Sequence, residues 1–386
     1  MLAQAPGCPN VTANVGAPIT CNNPCTNLTA NVFQTGQTTS YGVGAIPYAP
    51  PFPFTGGTSI FVGQDDIFSN TINIPFNFCF YGNTYNQCVI GANGLISFDL
   101  LNAGGFCDWS FTAPIPSGAT TPPYHNSING AYTDLDPSVS SGGDISYTVL
   151  GTAPCRSFVV SFHDIAMFNC NNLLTTQQIV LYETTNVIEV YIENYQNCAG
   201  WNSGNAVIGI QDATGANGLT PAGRNTGVWN ATNEAWRFTP NGAPNYTFTW
   251  YDPGMNPISN NLVHNICPTA SGNYTAEVVY TNCYGTLITE TDVVAVNVSG
   301  NIPTADAGAN DTTCQDDNCN VIPVVIGGAQ TASGGQGPYT YAWTPAAGLS
   351  STTAANPTAS PNATTTYVLT LTDNNGCIVY DTVTIA

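Results

Sequence analysis

The sequence predicts an all-β protein, one large β-sandwich followed by two small ones in a string. Three observations carry that prediction. Short runs of β-branched and aromatic residues recur between Gly, Asn and Pro turn signals, and no segment shows a 3.6-residue apolar period. Hydrophobic residues make up 43% of the chain, ample for real cores, yet only 7% are charged. A soluble domain usually carries about 25% charged residues, so Asn, Thr, Ser and Gly do the solubilising here. Fourteen cysteines without a CxxC pair read as a disulfide framework rather than zinc sites, and so as an oxidising compartment.

The first 240 residues read as six strands: INIPFNFCFYG (72–82), CVIGANGLISFD (88–99), DISYTVLG (144–151), CRSFVVSFHDI (155–165), TQQIVLYETTNVIEVYIENY (176–195) and NAVIGIQD (205–212). Asn93-Gly94, Ser141-Gly142-Gly143 and Thr185-Asn186 mark turns within and between them. The proline-rich AIPYAPPFPFTGG (45–57) reads as a surface-running loop. Beyond residue 240 two passages repeat each other. PNYTFTW (244–250), CPTASGNYTAEVVYTNCYG (267–285) and TDVVAV (291–296) are echoed by GPYTYAW (337–343), PTASPNATTTYVLTLTDNNGC (357–377) and YDTVTI (380–385). Tyr246, Phe248 and Trp250 share one strand face, as do Tyr339, Tyr341 and Trp343. An aromatic strand ending in Trp, then a hairpin, fits an immunoglobulin-like sandwich. The expected domains are 1–240, 241–299 and 300–386.

Charge excludes several partners. A formal net charge of −20 argues against nucleic acid and against anionic membrane surfaces, both of which require Lys and Arg. No run of 18 apolar residues is present, so direct membrane insertion by a helix is not expected. The opening MLAQAPGCPN has no charged n-region or apolar h-region, and reads at most as the tail of a signal peptide cut at Leu-Ala-Gln. No GxSxG elbow, HExxH helix or phosphate-binding glycine loop occurs. His163 and Asp164 are neighbours on a predicted strand, whose side chains should point to opposite faces and not act together. The expectation is a protein that is not an enzyme and needs no cofactor.

The order FVVSFHDI, QQIVLYETTNVIEVYIENY, NAVIGIQDATG is similar to the nidogen-type (NIDO-like) extracellular sandwich. The longer run from NFCFYGNTYNQCVIGANGLISFD through RNTGVWNATNEAWRF resembles Bacteroidota gliding-motility-associated surface proteins secreted by the type IX route. YAWTPAAGLSSTTAANPTASPNATTTYVLTLTDNNGC resembles the PKD/Ig-like repeats carried by such proteins. The resemblance implies export to the cell surface or medium and a role in adhesion, matrix or filament building. It implies no catalytic residues. Proteins of this kind end in a C-terminal sorting domain, whereas this sequence stops at Ala386 after a strand; the expectation is a tail removed on export or a longer parent chain.

Individual residues sharpen that reading. The chain has no lysine, and its three cations are Arg156, Arg224 and Arg237, the last two within RNTGVWNATNEAWRF (224–238). Their expected role is to pin carboxylates, with Glu234 near in sequence and Asp212 a possible neighbour in space; the functional alternative is recognition of an anionic glycan with Trp229 and Trp236. Asp134, Asp136 and Asp144 offer oxygen ligands for structural calcium, and Asp65-Asp66 a weaker pair. Nine cysteines precede residue 240, two lie in the middle segment and three in the last. Cys267 and Cys283 are expected to close on each other, with Cys314 and Cys377 in the last segment. Two odd counts remain: either each end keeps a free thiol, or Cys8, Cys21 or Cys25 pairs with Cys319, between domains or between subunits of a filament. Thr312 and Thr382, in Asp-Thr-Thr and Asp-Thr-Val, match a short O-glycosylation pattern, and several N-x-[ST] sequons occur. The expected function is a structural or adhesive surface protein that associates with itself or with other surface proteins. The alternative is a glycan-binding module using Trp109, Trp201 or Trp229, where exposed Trp beside amides would favour glycans and buried Trp a structural role.

Overall fold

The structure, a computed structural model, describes residues 8–21, 23–60, 64–298, 302–313 and 322–386. It is all-β: every long element is a strand, and the helical elements among the described residues are two three-residue 3₁₀ turns. The chain divides into two compact units that are not consecutive stretches. The first comprises the chain up to Thr12, Asn31–Phe248 and Glu277–Thr291; the second comprises Ala13–Ala30, Thr249–Ala276 and Asp292–Ala386.

The first unit is a sandwich of two antiparallel sheets. One runs in the order Tyr41–Ala45, Ala231–Pro240, Ile188–Tyr195, Cys170–Tyr182, Ser157–Met167, Asp144–Leu150, Thr58–Ser59, with Leu135–Asp136 also pairing with Ser157–Met167. The other runs Gly218–Leu219, Val207–Gln211, Ser127–Tyr132, Leu95–Ser97, Asn83–Gly91, Ile72–Phe80. Alternation explains how the first sheet is buried. Phe158, Val160, Phe162, Ile179, Leu181, Ile188, Val190 and Ile192 face the core between the sheets. Their neighbours Val159, Val180, Tyr182 and Tyr191 face outwards, yet are buried too. The cover is the proline-rich loop, whose Ile46, Tyr48 and Phe52 pack on that outer face. Tyr48 meets Tyr191 edge-on with ring centroids 6.2 Å apart, and Gln178 Nε2 donates to Phe52 O at 2.8 Å. A strand buried on both faces reads as a continuous apolar run, which is why IVLY and FVVSF hold so few charges.

The second sheet is covered in the same way by the long segment between Leu95–Ser97 and Ser127–Tyr132. Its Cys107, Phe111 and Ile115 pack with Val89, Leu95, Tyr132 and Val207. Cys88 and Cys107 are the two free thiols among the described residues. Both are buried, and burial pushes the Cys88 thiol up to about 12 and the Cys107 thiol higher still.

In the second unit Thr340–Thr344, Thr365–Thr372 and Ile378–Ile385 form a three-stranded sheet over a core of Trp343, Tyr367, Leu369, Val383 and Ile385. Val263–Ile266 pairs antiparallel with the N-terminal strand residues 26–29, Ile266 opposite Thr26.

The cysteine pairing corrects the sequence reading. Cys267 and Cys283 do not join each other: Cys267 pairs with Cys25 and Cys283 with Cys79. Cys377 pairs with Cys21, Cys8 with Cys155, and Cys170 with Cys198. The reason lies in the N-terminal segment, which is a strand and not a free arm. With Thr26 opposite Ile266, the flanking Cys25 and Cys267 fall side by side. Cys8, Cys21 and Cys25 therefore each close within the chain. Cys314 and Cys319 lie outside the described residues.

Candidate functional site

One end of the first sandwich gathers aromatic and acidic residues from five separate connections. The Asn83–Gly91 and Leu95–Ser97 strands turn there through Asn93-Gly94. Gly94 has φ +97°, and a Cβ on it would lie 2.8 Å from Ala131 O, so only glycine fits this turn. The turn presents Asn93 as a hub: its Oδ1 accepts from Leu135 N at 2.8 Å, and its Nδ2 donates to Asp66 Oδ1 at 3.0 Å and Cys107 O at 2.9 Å. Three connections are thereby tied together, the loop carrying Asp65 and Asp66, the loop carrying Cys107, Asp108 and Trp109, and the crossover from Ser127–Tyr132 to Leu135–Asp136. The Met167–Cys170 hairpin adds Phe168, whose N–H donates to Asp134 O at 3.2 Å. The segment after Ile188–Tyr195 adds Trp201, anchored by the Cys170–Cys198 disulfide and by Trp201 N donating to Cys198 O at 3.0 Å.

Trp109 and Trp201 lie side by side with ring centroids 5.3 Å apart, and Phe168 stands 4.8 Å from Trp201. Both indoles are half-buried. Asn202 Nδ2 fixes the Trp109 backbone by donating to its carbonyl at 2.9 Å. Trp201 Nε1 donates to Asp134 Oδ2 at 2.5 Å, and the Trp109 indole acts on Asp66 to lower its carboxyl against burial. Asp134 is 3% exposed, and its Oδ1 has no hydrogen-bond partner. Burial raises the Asp134 carboxyl to about 7, against the hydrogen bond from Trp201 and with further push from the charges of Asp66, Asp65 and Asp136. Asp65 is likewise raised to about 7 by burial and by Asp66 and Asp136, and Asp66 is raised as well. No cation answers these charges, because the three arginines are engaged elsewhere.

Those three each meet a glutamate. Arg156 forks onto Glu183, with Nη2–Oε1 at 2.6 Å and Nε–Oε2 at 2.8 Å. Arg224 binds both oxygens of Glu234 and lies 5.0 Å from the Trp229 ring centroid. Arg237 binds Glu189 Oε1, and Glu189 Oε2 accepts from the Tyr182 and Tyr191 hydroxyls at 2.6 Å each. Trp229 is buried, its Nε1 donating to Ala206 O, and Trp236 Nε1 donates to Glu234. With each guanidinium held by a glutamate, none is left unpaired for an anionic glycan. Asp212 meets no arginine; it accepts from Thr214, Ala216 and Asn217 in its own turn, and these bonds lower its carboxyl against the cost of burial.

The other candidate residues separate. Asp134 and Asp136 come together with Asp65 and Asp66, whereas Asp144 accepts from Ser59 Oγ at 2.9 Å and is not among the charges acting on Asp134. Among the described residues no three His, Cys, Asp or Glu side chains are placed to hold a metal ion. His163 and Asp164 do meet, with Nε2 3.7 Å from Oδ2. The expected opposite orientation fails because the register slips between Phe162 and Ile165 and Asp164 takes φ +49°, a bulge that turns both side chains to one side. Thr312 and Thr382 are both exposed. Asp65 and Asp66 were the weakest acidic candidates in the sequence, and only the Asn93 hub draws them to Asp134.

Comparison with known proteins bears on the same region. Residues 44–250, more than half the chain and including every residue of this site, match the profile of a family described as NIDO related. The chain belongs to the NIDO-related family. No curated protein matches it. Among solved structures, one titled "Biofilm associated protein - BSP domain" is 10% identical, covering 100% of this chain and 82% of that one at a TM-score of 0.16. A Bacteroides ovatus mixed-linkage glucan utilization locus SGBP-B in complex with a mixed-linkage heptasaccharide is 10% identical, covering 89% and 70% at a TM-score of 0.13. The five disulfides among the described residues fit an extracellular protein.

Proposed function

We propose that this NIDO-related protein is an extracellular adhesive protein of the cell surface, which holds glycans at the acidic–aromatic end of its large sandwich by binding and not by catalysis. The observation that carries the reading is Asp134 Oδ1, a buried acceptor without a partner beside two half-exposed tryptophans. Sugars present what this site lacks: apolar C–H faces that stack on indole, and hydroxyl donors for carboxylate oxygens. A net charge of −20 and three fully engaged arginines select against sulfated or uronate-rich glycans and leave neutral and amino sugars. Type IX export and association with other surface proteins, as the resemblance implies, belong to the same reading. Covalent filaments through Cys8, Cys21 or Cys25 do not, since those thiols are consumed within the chain.

A glycan array probed with the full chain tests this. Binding to neutral or amino sugars is expected, with loss of about tenfold or more in affinity for Trp201→Ala, about 1.4 kcal/mol. Asp134→Asn, which keeps the Trp201 acceptor, is expected to weaken amino sugars more than neutral ones. A chain that retains no glycan, or Trp109→Ala and Trp201→Ala variants that bind like the parent, would overturn the reading.

A further inference from the structure

The opposite end of the same sandwich holds a second feature of a different character. The hairpin turns at Tyr81-Gly82 and at 183–187 lie at the strand ends away from Asn93, and there they meet the segments 36–39, 244–247 and 281–283. Between them is a cavity of about 450 Å³, within the ~300–1,000 Å³ usual for small-molecule sites. Every lining residue belongs to the first unit. The Cys79–Cys283 disulfide fixes the 281–283 segment to the end of the Ile72–Phe80 strand. Gly36 holds the wall close, since a Cβ there would fall 2.4 Å from Gly242 O.

The lining contains no Asp, Glu, Lys, Arg or His, although the chain has 23 acidic residues. It is made of amides and hydroxyls with one aromatic ring: Thr38, Asn186, Asn245, Tyr246, Thr247 and Asn282. Several of these are already committed. Thr38 Oγ1 accepts from Gly82 N, Asn186 bridges Cys79 N and Thr184 O, and Asn282 Oδ1 accepts from Thr286 N. Asn245 is different. Its backbone carbonyl accepts from Thr281 N, which fixes its position, while its side-chain Oδ1 is buried without a partner. A buried acceptor left unmade costs about 1–3 kcal/mol, and a ligand donor that draws the Asn245 amide toward the cavity removes the cost.

We infer that this cavity is a second binding site, independent of the acidic–aromatic end, for a neutral hydroxyl-rich ligand of monosaccharide to disaccharide size. An anion would find no cation in the wall and a cation no carboxylate. A wholly apolar ligand would leave the amides unpaired. A sugar hydroxyl can donate to Asn245 Oδ1 while a C–H face rests on half-exposed Tyr246.

The test is calorimetry and saturation-transfer NMR on the full disulfide-bonded chain, titrated with glucose, galactose, mannose and N-acetylglucosamine. At least one should bind saturably, with affinity unchanged between about 50 and 500 mM salt because the lining carries no charge. Asn245→Leu keeps the backbone bond to Thr281 and should weaken that binding about tenfold or more, and Trp201→Ala should leave it intact. Where Asn245→Leu fails to fold by circular dichroism, Tyr246→Ala and Thr247→Val take its place. Absence of saturable binding by all four sugars overturns the inference, as does a signal that survives Asn245→Leu and Tyr246→Ala. Binding abolished by Trp201→Ala alone would assign all recognition to the first site.

Discussion

Glu189 is wholly buried in the strand Ile188–Tyr195, where two tyrosine hydroxyls and one guanidinium satisfy it. Glu189→Gln removes the charge that Arg237 faces and leaves a buried amide among donors, a loss of about 3 kcal/mol to be seen as a lower urea midpoint. Asp134 has the opposite sign. Its carboxyl and that of Asp65 are raised to about 7 in the folded chain, so between about pH 4 and 7 the folded state binds more protons than the unfolded one. That stabilisation is fully present at the acid end of the window and is lost as pH rises through 7. Thermal midpoints should therefore rise on acidification from about pH 8 to 5.5, and Asp134→Asn should flatten the slope and stabilise the chain at pH 8 by about 1 kcal/mol. A midpoint that falls steadily over this window would contradict the placement. Asp212, whose carboxyl is lowered, titrates below the window and acts only in stronger acid. Among these pairs Arg224–Glu234 was legible in the sequence, being ten residues apart on neighbouring segments. Glu183 and Glu189 were not, because they meet Arg156 and Arg237 only through the pairing of strands 27 and 48 residues distant.

At the scale of elements, the Trp201 segment depends on one staple. Cys170 begins a strand and Cys198 follows the end of the next, so their bridge clamps the segment that presents the indole. Closing a loop of 28 residues contributes about 3.6 kcal/mol on the chain-entropy account. The Cys170→Ser, Cys198→Ser double variant should lose that stability, and should also lose glycan affinity even under conditions where it remains folded, since the segment carrying Trp201 then has no covalent anchor and the indole keeps only its hydrogen bonds and ring contacts. Unchanged affinity would show that the staple does not position the indole. Strand positions were largely legible here, because period-2 alternation and Asn-Gly turns report local backbone. What covers each sheet was not. The outward row Val159, Val180 and Tyr191 is apolar because the 45–57 loop lies on it, and alternation alone does not reveal a loop as a partner. The His163–Asp164 contact escaped for a related reason: a bulge changes side-chain direction without changing composition.

Across the whole molecule, the chain is organised by pairings between residues far apart in sequence. Cys8–Cys155, Cys25–Cys267, Cys79–Cys283 and Cys21–Cys377 span 147 to 356 residues. The sequence showed that disulfides abound, since their number needs only counting. It did not show which cysteines pair, since proximity along the chain favours Cys267 with Cys283 until the strand at 26–29 is seen opposite Val263–Ile266. Mass spectrometry of the non-reduced chain should recover these pairs in a monomer-sized band, and a Cys267–Cys283 peptide would contradict the arrangement. The central claim, that recognition takes place beside Asp134, is tested most directly by the indole N–H spectrum of the six tryptophans. On addition of the sugar selected by the array, the resonances of Trp109 and Trp201, assigned through Trp109→Phe and Trp201→Phe, should move while those of buried Trp229, Trp250 and Trp343 stay fixed. A sugar that binds and leaves Trp109 and Trp201 unmoved would place recognition elsewhere and contradict the account.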